Sequence, residues 1–142
     1  MEVMRVIEVT DEISAAFNYL IPQLSSSSAV PSQEQLQEIA TNDSLFIARD
    51  PDAGGKILGS LTLVSFRIPT GVRAWIEDVV VDEAARGKGI GEALTRAALE
   101  RAAELGARTV DLTSRPSREA ANRLYQRVGF KLRESNLYRF TL

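Results

Sequence analysis

The sequence predicts an α/β protein with a single domain over 1–142, in which helices flank one mixed sheet. Two observations carry this prediction. Three apolar runs between residues 44 and 81 are separated by turn-forming residues, which is typical of an antiparallel meander. A strand pattern, a glycine-rich loop, a helix pattern and another strand pattern follow, and this order is typical of a right-handed parallel crossover. The predicted order of elements is β-α-α-β-β-β-α-β-α-β-β.

Capping signals place the two helices of the N-terminal region. Thr10 or Asp11 can cap the first helix, which is expected to end near Pro22. Ser32 and Gln35 have the spacing of a capping box, which marks the beginning of the second helix. The predicted strands here are 3–9, 44–49, 56–67 and 72–81, and the first helix covers 11–22.

In the second half of the chain, apolar residues recur at helical spacing. Ile90, Leu94 and Ala98 define one face of a long helix, which Gly106 is expected to end. A shorter helix is expected to end at Gly129. The predicted bounds are 89–105 and 117–128 for the helices, and 109–113 and 136–141 for the strands that follow them.

The composition narrows the chemistry that the chain can perform. It has no cysteine and no histidine, which excludes disulfides, cysteine nucleophiles, imidazole ligands and histidine-based triads. Proton transfer therefore depends on carboxylates, tyrosine, lysine or ordered water. Because carboxylates are the only strong metal ligands left, we expect no metal. Without a membrane-length apolar run or a signal-peptide pattern, the chain is expected to be cytoplasmic and to bind no membrane.

Charge is distributed unevenly along the chain. The net charge is −2 overall, but residues 1–85 carry −8 and residues 86–142 carry +6. The positive half begins at the glycine-rich loop, which favours a negatively charged ligand in that half. Nucleic acid is not expected, because the sequence has no dense basic cluster interleaved with aromatic residues.

The stretch RGKGIG lies between the apolar run 79–81 and the long predicted helix. A glycine-rich loop at a helix N-terminus exposes backbone N–H groups, and these bind phosphate together with the helix dipole. Neighbouring cations strengthen such a site. The candidate phosphate-binding positions are Arg86, Gly87, Lys88, Gly89, Ile90 and Gly91.

Two common phosphate motifs do not fit this stretch. The dinucleotide-binding fingerprint G-x-G-x-x-G should directly follow a strand, whereas here the order is G-x-G-x-G after five inserted residues. A P-loop, G-x-x-x-x-G-K-[ST], is absent. The segment VVVDEAARGKGIGEALTRAALERA instead resembles the acetyl-CoA-binding core of the GNAT superfamily of N-acetyltransferases, whose pattern [RQ]-x-x-G-x-[GA] matches Arg86, Gly89 and Gly91. The later segment EAANRLYQRVGF also resembles that family, so a GNAT-like fold is expected.

The resemblance implies roles for individual residues. The loop 86–91 would hold the diphosphate of acetyl-CoA, and Asn122 would hydrogen-bond its pantetheine arm. Tyr125 occupies the position of the family's usual general acid and also borders the cofactor. The arm itself would run beside the strand backbone at Val79, Val80 and Val81.

The reaction that the resemblance implies is direct attack of an amine on the thioester, with no covalent enzyme intermediate. An amine with a pKa near ~10 must lose a proton before it attacks, so a base is needed. Glu77 is the first candidate, because it matches a carboxylate common in the family, and Asp78 is the reserve; either can act through a water. Regular strand alternation would send them to opposite faces, so at most one is expected to point into the cleft.

The acceptor is the least determined part of the prediction. The run WIEDVVVDEAARGKGIG also resembles glucosamine-6-phosphate N-acetyltransferases, although Trp75 replaces a histidine common in them. A small-molecule amine, such as an amino sugar or polyamine, is expected. The alternatives are a protein N-terminus or lysine as acceptor, and a non-catalytic sensor that only binds acyl-CoA. Dimers are common in the family, so the open sheet edge near the C-terminus is expected to support a homodimer.

Overall fold

The computed structural model describes residues 1–142 and contains one five-stranded mixed sheet in the order β1-β2-β3-β4-β5. Strands β1 to β4 are antiparallel neighbours, and β5 pairs in parallel with β4. The meander and the parallel crossover predicted from the sequence are therefore confirmed. The strands are β1 (Glu2–Arg5), β2 (Ser44–Asp50), β3 (Lys56–Ile68), β4 (Gly71–Val81) and β5 (Ala107–Asp111), and the helices are α1 (Asp11–Leu24), α2 (Gln33–Asn42), α3 (Ile90–Glu104) and α4 (Glu119–Val128).

The sheet separates two apolar cores because its central strands bury both faces. Along β2, Leu45 and Ile47 pack with α1 and α2, whereas Phe46 and Ala48 pack with α3. This alternation follows from the two-residue period of a strand. Leu94 lies in the α3 core with no exposed surface. None of the helices has both the length and the hydropathy needed to cross a membrane.

The capping residues predicted from the sequence cap helices α1 and α2 in the structure. The Thr10 hydroxyl accepts from the Ile13 N–H at 3.3 Å. Ser32 and Gln35 form a reciprocal capping box with distances of 3.1 and 2.9 Å. Helix α1 ends near Pro22 as expected, two residues beyond it at Leu24. A proline in the last turn removes only one main-chain hydrogen bond and leaves little helix beyond it to disrupt.

Four strand predictions need correction. The first strand ends at Arg5 instead of residue 9, because the chain then leaves the sheet and is held by Gln37, whose amide group bonds the N–H of Val9 and the carbonyl of Ile7. The fifth strand lies at Ala107–Asp111 and not at 109–113. The two strands predicted after the last helix, of which 136–141 is the final one, are absent, and residues 130–142 have no regular secondary structure.

Candidate active site

The main cleft of the protein opens where β4 and β5 separate. The two strands pair from Val72 and Ala107 to Trp75 and Asp111, and no pairing continues beyond that point. The second half of β4 therefore pairs only with β3, and its other backbone edge faces the gap. The cleft has a volume of about 1260 Å³.

A β-bulge interrupts β4 next to this gap. Thr62 pairs with Glu77 and Ser60 pairs with Val80, so β4 holds one residue more than β3 between these pairs. Asp78 accommodates it with a positive φ of 50°, a conformation that non-glycine residues seldom adopt outside special sites. The bulge leaves part of the β4 backbone outside the ladder.

The bulge changes which faces the side chains occupy. Ile76 packs in the α3 core but Val80 packs in the α1–α2 core, although regular alternation would place both on one face. The bulge therefore interrupts the regular alternation of β4 between Glu77 and Val80. The carboxylates of Glu77 and Asp78 are both exposed.

The glycine-rich loop forms the adjoining wall of the cleft. Gly87 and Gly89 have φ values of 80° and 79°, and a Cβ at either position would meet no atom within 4 Å. Gly89 is the N-cap of α3 and provides no side chain to cap it. The backbone N–H groups of 87–92 donate to no protein atom, so they are available to an anion. The Arg86 N–H is different, because it donates to the Glu83 carbonyl at 3.4 Å.

The third glycine of the loop, Gly91, is required for a different reason, which is the space that it leaves for α4. Its φ is not positive, but a Cβ there would lie 3.3 Å from Cδ1 of Leu124 on α4. Gly91 therefore permits α4 to approach the first turn of α3. The same junction is held by Glu92, whose carboxylate accepts from Arg127 at 3.0 Å and from Arg96 at 3.2 Å. Hydrogen bonds from Arg127 and then Arg96 hold the pKa of Glu92 below its ordinary value.

Helix α4 carries Asn122 and Tyr125, the two residues for which the sequence predicted a role beside the cofactor. Tyr125 is 9% exposed, its ring packs edge-on against Phe130 with 5.7 Å between centroids, and its hydroxyl has no protein partner. Burial raises the pKa of the Tyr125 phenol above its ordinary value. Asn122 donates from its side-chain amide to the Arg115 carbonyl at 3.0 Å, so its N–H group holds the loop between β5 and α4.

The structure brings most of the proposed cofactor-binding residues to one cleft. Its lining includes the three valines of β4 and five residues of the loop, but not Lys88, Asn122, Tyr125 or the carboxylates at 77 and 78. Sequence reasoning missed Ser114, which also lines the cleft and whose buried hydroxyl has no hydrogen-bond partner. The cleft-lining positions that were predicted are Val79, Val80, Val81, Arg86, Gly87, Gly89, Ile90 and Gly91.

The end of α1 holds the short helical turn Glu83–Ala85, which directly precedes the glycine-rich loop. The Gln23 side chain accepts from the Glu83 N–H at 2.8 Å and donates to the Tyr19 carbonyl at 2.8 Å. The Tyr19 hydroxyl donates to the Ile57 carbonyl at 2.6 Å. Burial, and then the nearby Asp82 charge, raise the pKa of Tyr19. No sequence motif indicated these contacts, because they join residues far apart in the chain.

Comparison with known proteins agrees with this architecture. Residues 8–130 match the acetyltransferase (GNAT) family. The chain is 31% identical to glucosamine 6-phosphate N-acetyltransferase 1 of Oryza sativa subsp. japonica, over 89% of this chain and 79% of that protein.

Two solved structures share the fold. A putative acetyltransferase from Agrobacterium tumefaciens str. C58 superposes with a TM-score of 0.83 at 21% identity, over 99% of this chain and 100% of the other. An aminoglycoside acetyltransferase from an uncultured soil metagenomic sample, solved with trehalose, superposes with a TM-score of 0.81 at 22% identity, over 99% and 95% of the two chains. With the match across 8–130, these findings establish that the chain belongs to the GNAT family of acetyl-CoA-dependent N-acetyltransferases.

Proposed function

We propose that this protein transfers the acetyl group of acetyl-CoA to the primary amine of a small molecule, by direct attack of the amine. The observation that carries the proposal is the cleft between β4 and β5, which has unpaired backbone N–H groups of 87–92 on its wall. These groups fit a diphosphate, and the arginines lining the same cleft add positive charge. The cofactor supplies an activated thioester.

The free edge of β4 fits the extended arm of the cofactor. Val79, Val80 and Val81 line the cleft, and their side chains pack into the two cores. Their backbone on the side away from β3 has no strand partner, because β5 has already separated. An amide-containing chain that lies along this edge can therefore form hydrogen bonds with the β4 backbone, as an added strand would.

The bulge at Asp78 serves the reacting end of this arrangement. It lies directly before the three valines and releases backbone from the ladder, so that an N–H near Val79 can stabilise the developing oxyanion. Glu77 and Asp78 are exposed at the same place and can take the amine proton, directly or through a water.

Tyr125 completes the proton transfers. Bond formation between the amine nitrogen and the acetyl carbon is followed by cleavage of the carbon–sulfur bond, and the departing thiolate needs a proton. The Tyr125 hydroxyl is free of protein partners, and burial keeps it protonated at neutral pH. In this proposal Tyr125 donates that proton.

An amino sugar or a related amine is the acceptor class that we favour. The rice relative is named for glucosamine 6-phosphate, and the soil relative for aminoglycosides. Both names describe small molecules with primary amines. The −8 charge of residues 1–85 favours a cationic acceptor of this kind.

The test is a panel of amines incubated with acetyl-CoA while release of free thiol is followed. Turnover is expected with at least one amino sugar. Replacing Tyr125 with phenylalanine is expected to lower kcat by about 10²-fold or more while CoA affinity and Tm stay at wild-type values. Glu77→Gln and Asp78→Asn identify the base, and Glu100→Gln on the exposed face of α3 is the matched carboxylate control.

The outcomes separate the alternatives. Turnover with peptides alone would replace the small-molecule acceptor with a protein acceptor. Tight CoA binding without turnover on any amine would make the protein a sensor. Absence of CoA binding would overturn the proposed cleft.

A further inference from the structure

Part of the sheet face that carries α1 and α2 extends beyond both helices. Directly paired residues of neighbouring strands share a face, and Leu45, which packs in the α1–α2 core, is paired with Thr62. Thr62 is in turn paired with Glu77, so the Glu77 side chain lies on this face as well. The buried residues that β3 and β4 contribute to the α1–α2 core are Ile57 and Val80, and both come before this pair on the way to the β3–β4 turn.

Two more rows of side chains continue this face toward the β3–β4 turn, and together with the Thr62–Glu77 pair they form what we call the open face. The apolar side chains of these rows belong to neither apolar core. One of them, Phe66, is 42% exposed. The first row is Val64, Trp75 and Asp111, and the second row is Phe66, Arg73 and Thr109.

Trp75 and Asp111 lie at the centre of the open face. The Trp75 ring is half-buried, and its indole N–H reaches solvent, because the Ser114 hydroxyl is the only buried side-chain group without a hydrogen-bond partner. Neither Glu77 nor Asp111 takes part in an ion pair within the chain. The two residues are diagonal neighbours across β4 and β5, which places them about 7–8 Å apart.

Arg73 is the only cation of the open face, and it is directed away from these carboxylates. Its guanidinium donates to the Thr70 hydroxyl at 3.1 Å, in the turn between β3 and β4. Arg73 also lies four residues from Glu77, which is about 13 Å along a strand. The centre of the open face therefore combines two negative charges with an aromatic ring, and this combination favours a cationic ligand.

We propose that the open face selects an acceptor with two amino groups. One amine is the reacting group and lies near Glu77, beside the bulge where the acetyl group is transferred. The second amine, as an ammonium ion, lies between the Asp111 carboxylate and the face of the Trp75 ring, where an ion pair and a cation–π contact hold it. The ring or short chain that joins the two amines packs over Trp75. This inference rests on the proposed acetyl transfer and narrows its acceptor to a diamine.

The same arrangement disfavours a sugar phosphate. A phosphate in the position of the second amine would face Asp111, and like charges at short distance repel each other. Glucosamine 6-phosphate, for which the rice relative is named, is therefore expected to be a poor acceptor for this chain.

Three acceptors that differ only at C6 of one sugar test this preference. Glucosamine, glucosamine 6-phosphate and 2,6-diamino-2,6-dideoxyglucose carry a hydroxyl, a phosphate and an amine at that carbon. We expect kcat/KM to be highest for the diamino sugar and roughly tenfold or more lower for the phosphate. If the diamino sugar does not rank first, the proposal is overturned.

Substitutions assign the preference to individual residues. Asp111→Asn is expected to raise KM for the diamino sugar by roughly three- to tenfold, with kcat and the KM for glucosamine unchanged. Trp75→Leu is expected to raise KM for both sugars, and Trp75→Phe to raise it less, because a phenyl ring keeps part of the contact. Glu100→Gln, on the exposed side of α3, is the carboxylate control and is expected to change neither KM. An unchanged preference for the diamino sugar in Asp111→Asn would refute the role of that carboxylate.

Calorimetry separates this inference from the proposed acetyl transfer. The diamino sugar is titrated into protein saturated with CoA, which carries no acetyl group, so binding is measured without turnover. The titration is repeated without CoA, which gives the answer even for a chain that binds no cofactor. Tighter binding of the diamino sugar than of glucosamine, lost in Asp111→Asn, is the expected result. Turnover on glucosamine with no tighter binding of the diamino sugar would leave acetyl transfer intact and overturn the diamine proposal.

Discussion

Gly59 connects the packing of the sheet to the position of the glycine-rich loop. It lies on β3, and a Cβ at this position would lie 3.0 Å from the Val80 carbonyl oxygen. The same atom would lie 3.1 Å from Ile90 Cγ2 and 3.1 Å from Leu94 Cδ1. Ile90 is the first residue of α3, so the change Gly59→Ala pushes against the helix end that carries the unpaired N–H groups.

The size of the effect follows from these distances. Ordinary contacts begin at 3.4 Å, so the added methyl group is too close to three atoms by 0.3–0.4 Å. One of the three is the backbone oxygen of Val80, so no side-chain rotation can relieve this contact. Overpacking of this kind costs about 1–3 kcal/mol, which corresponds to a fall in Tm of roughly 3–10 °C for a chain of this size. A shift of a few tenths of an ångström also weakens the hydrogen bonds to a diphosphate, and we expect a loss of CoA affinity of roughly three- to tenfold.

Thermal unfolding and calorimetric titration with CoA measure the two effects. Gly91→Ala is the matched control for stability, because its Cβ would meet one flexible side-chain end at 3.3 Å. Alanine also favours the helix, which offsets the crowding of Leu124, so Tm is expected to fall by less than it does for Gly59→Ala. If Gly59→Ala unfolds at the wild-type temperature, the packing argument fails. If Gly59→Ala is destabilised but binds CoA with unchanged affinity, the link between the packing at Gly59 and the position of the glycine-rich loop is refuted.

Two further predictions concern titrating groups. Glu92→Gln is expected to lower Tm at pH 7 by less than Gly59→Ala does, since the ion pairs with Arg127 and Arg96 are exposed and screened by salt. Because the arginines lower the folded-state pKa of Glu92, this stabilisation is present above pH 4.5 and is lost as pH falls through the lower value, so the difference in Tm should disappear in acid. Burial raises the pKa of Tyr125 above 10.0, so the protonated donor persists beyond pH 10 and kcat should fall only above it. A fall in kcat at a lower pH that is absent from Tyr125→Phe would contradict this assignment.

Local signals predicted much of this fold. The hydroxyl of Ser32 and the amide of Gln35 bond to backbone within the same turn, so their spacing alone identifies the start of α2. Gly87 and Gly89 adopt positive φ, and the buried residue Ile90 follows them at the start of α3. The local pattern of glycines before an apolar helix residue also predicts this turn. Each of these features is determined by residues within a few positions of one another.

Features that depend on pairing between distant segments were not predicted. The bulge at Asp78 depends on how β4 aligns with β3, and the residues Glu77 and Asp78 carry no local signal for it. The contact from Glu92 to Arg127 joins two helices that are separated by a strand, and only the approach permitted at Gly91 brings them together. The strand prediction at 136–141 was wrong for a related reason, because residues with a high strand propensity form a strand only when they pair with another strand, and 136–141 pairs with none.

The three glycines of the loop show why one motif can combine several physical requirements. Gly87 and Gly89 supply backbone conformations that turn N–H groups toward the cleft, whereas Gly91 supplies room for α4. Substitutions should therefore separate the two roles. Alanine at 87 or 89 strains the backbone and is expected to weaken phosphate binding directly, while alanine at 91 acts through Leu124 and the position of α4. In the proposed cofactor site the loop thus has two roles, phosphate binding and packing against α4, and Gly59 supports it from beneath the first turn of α3.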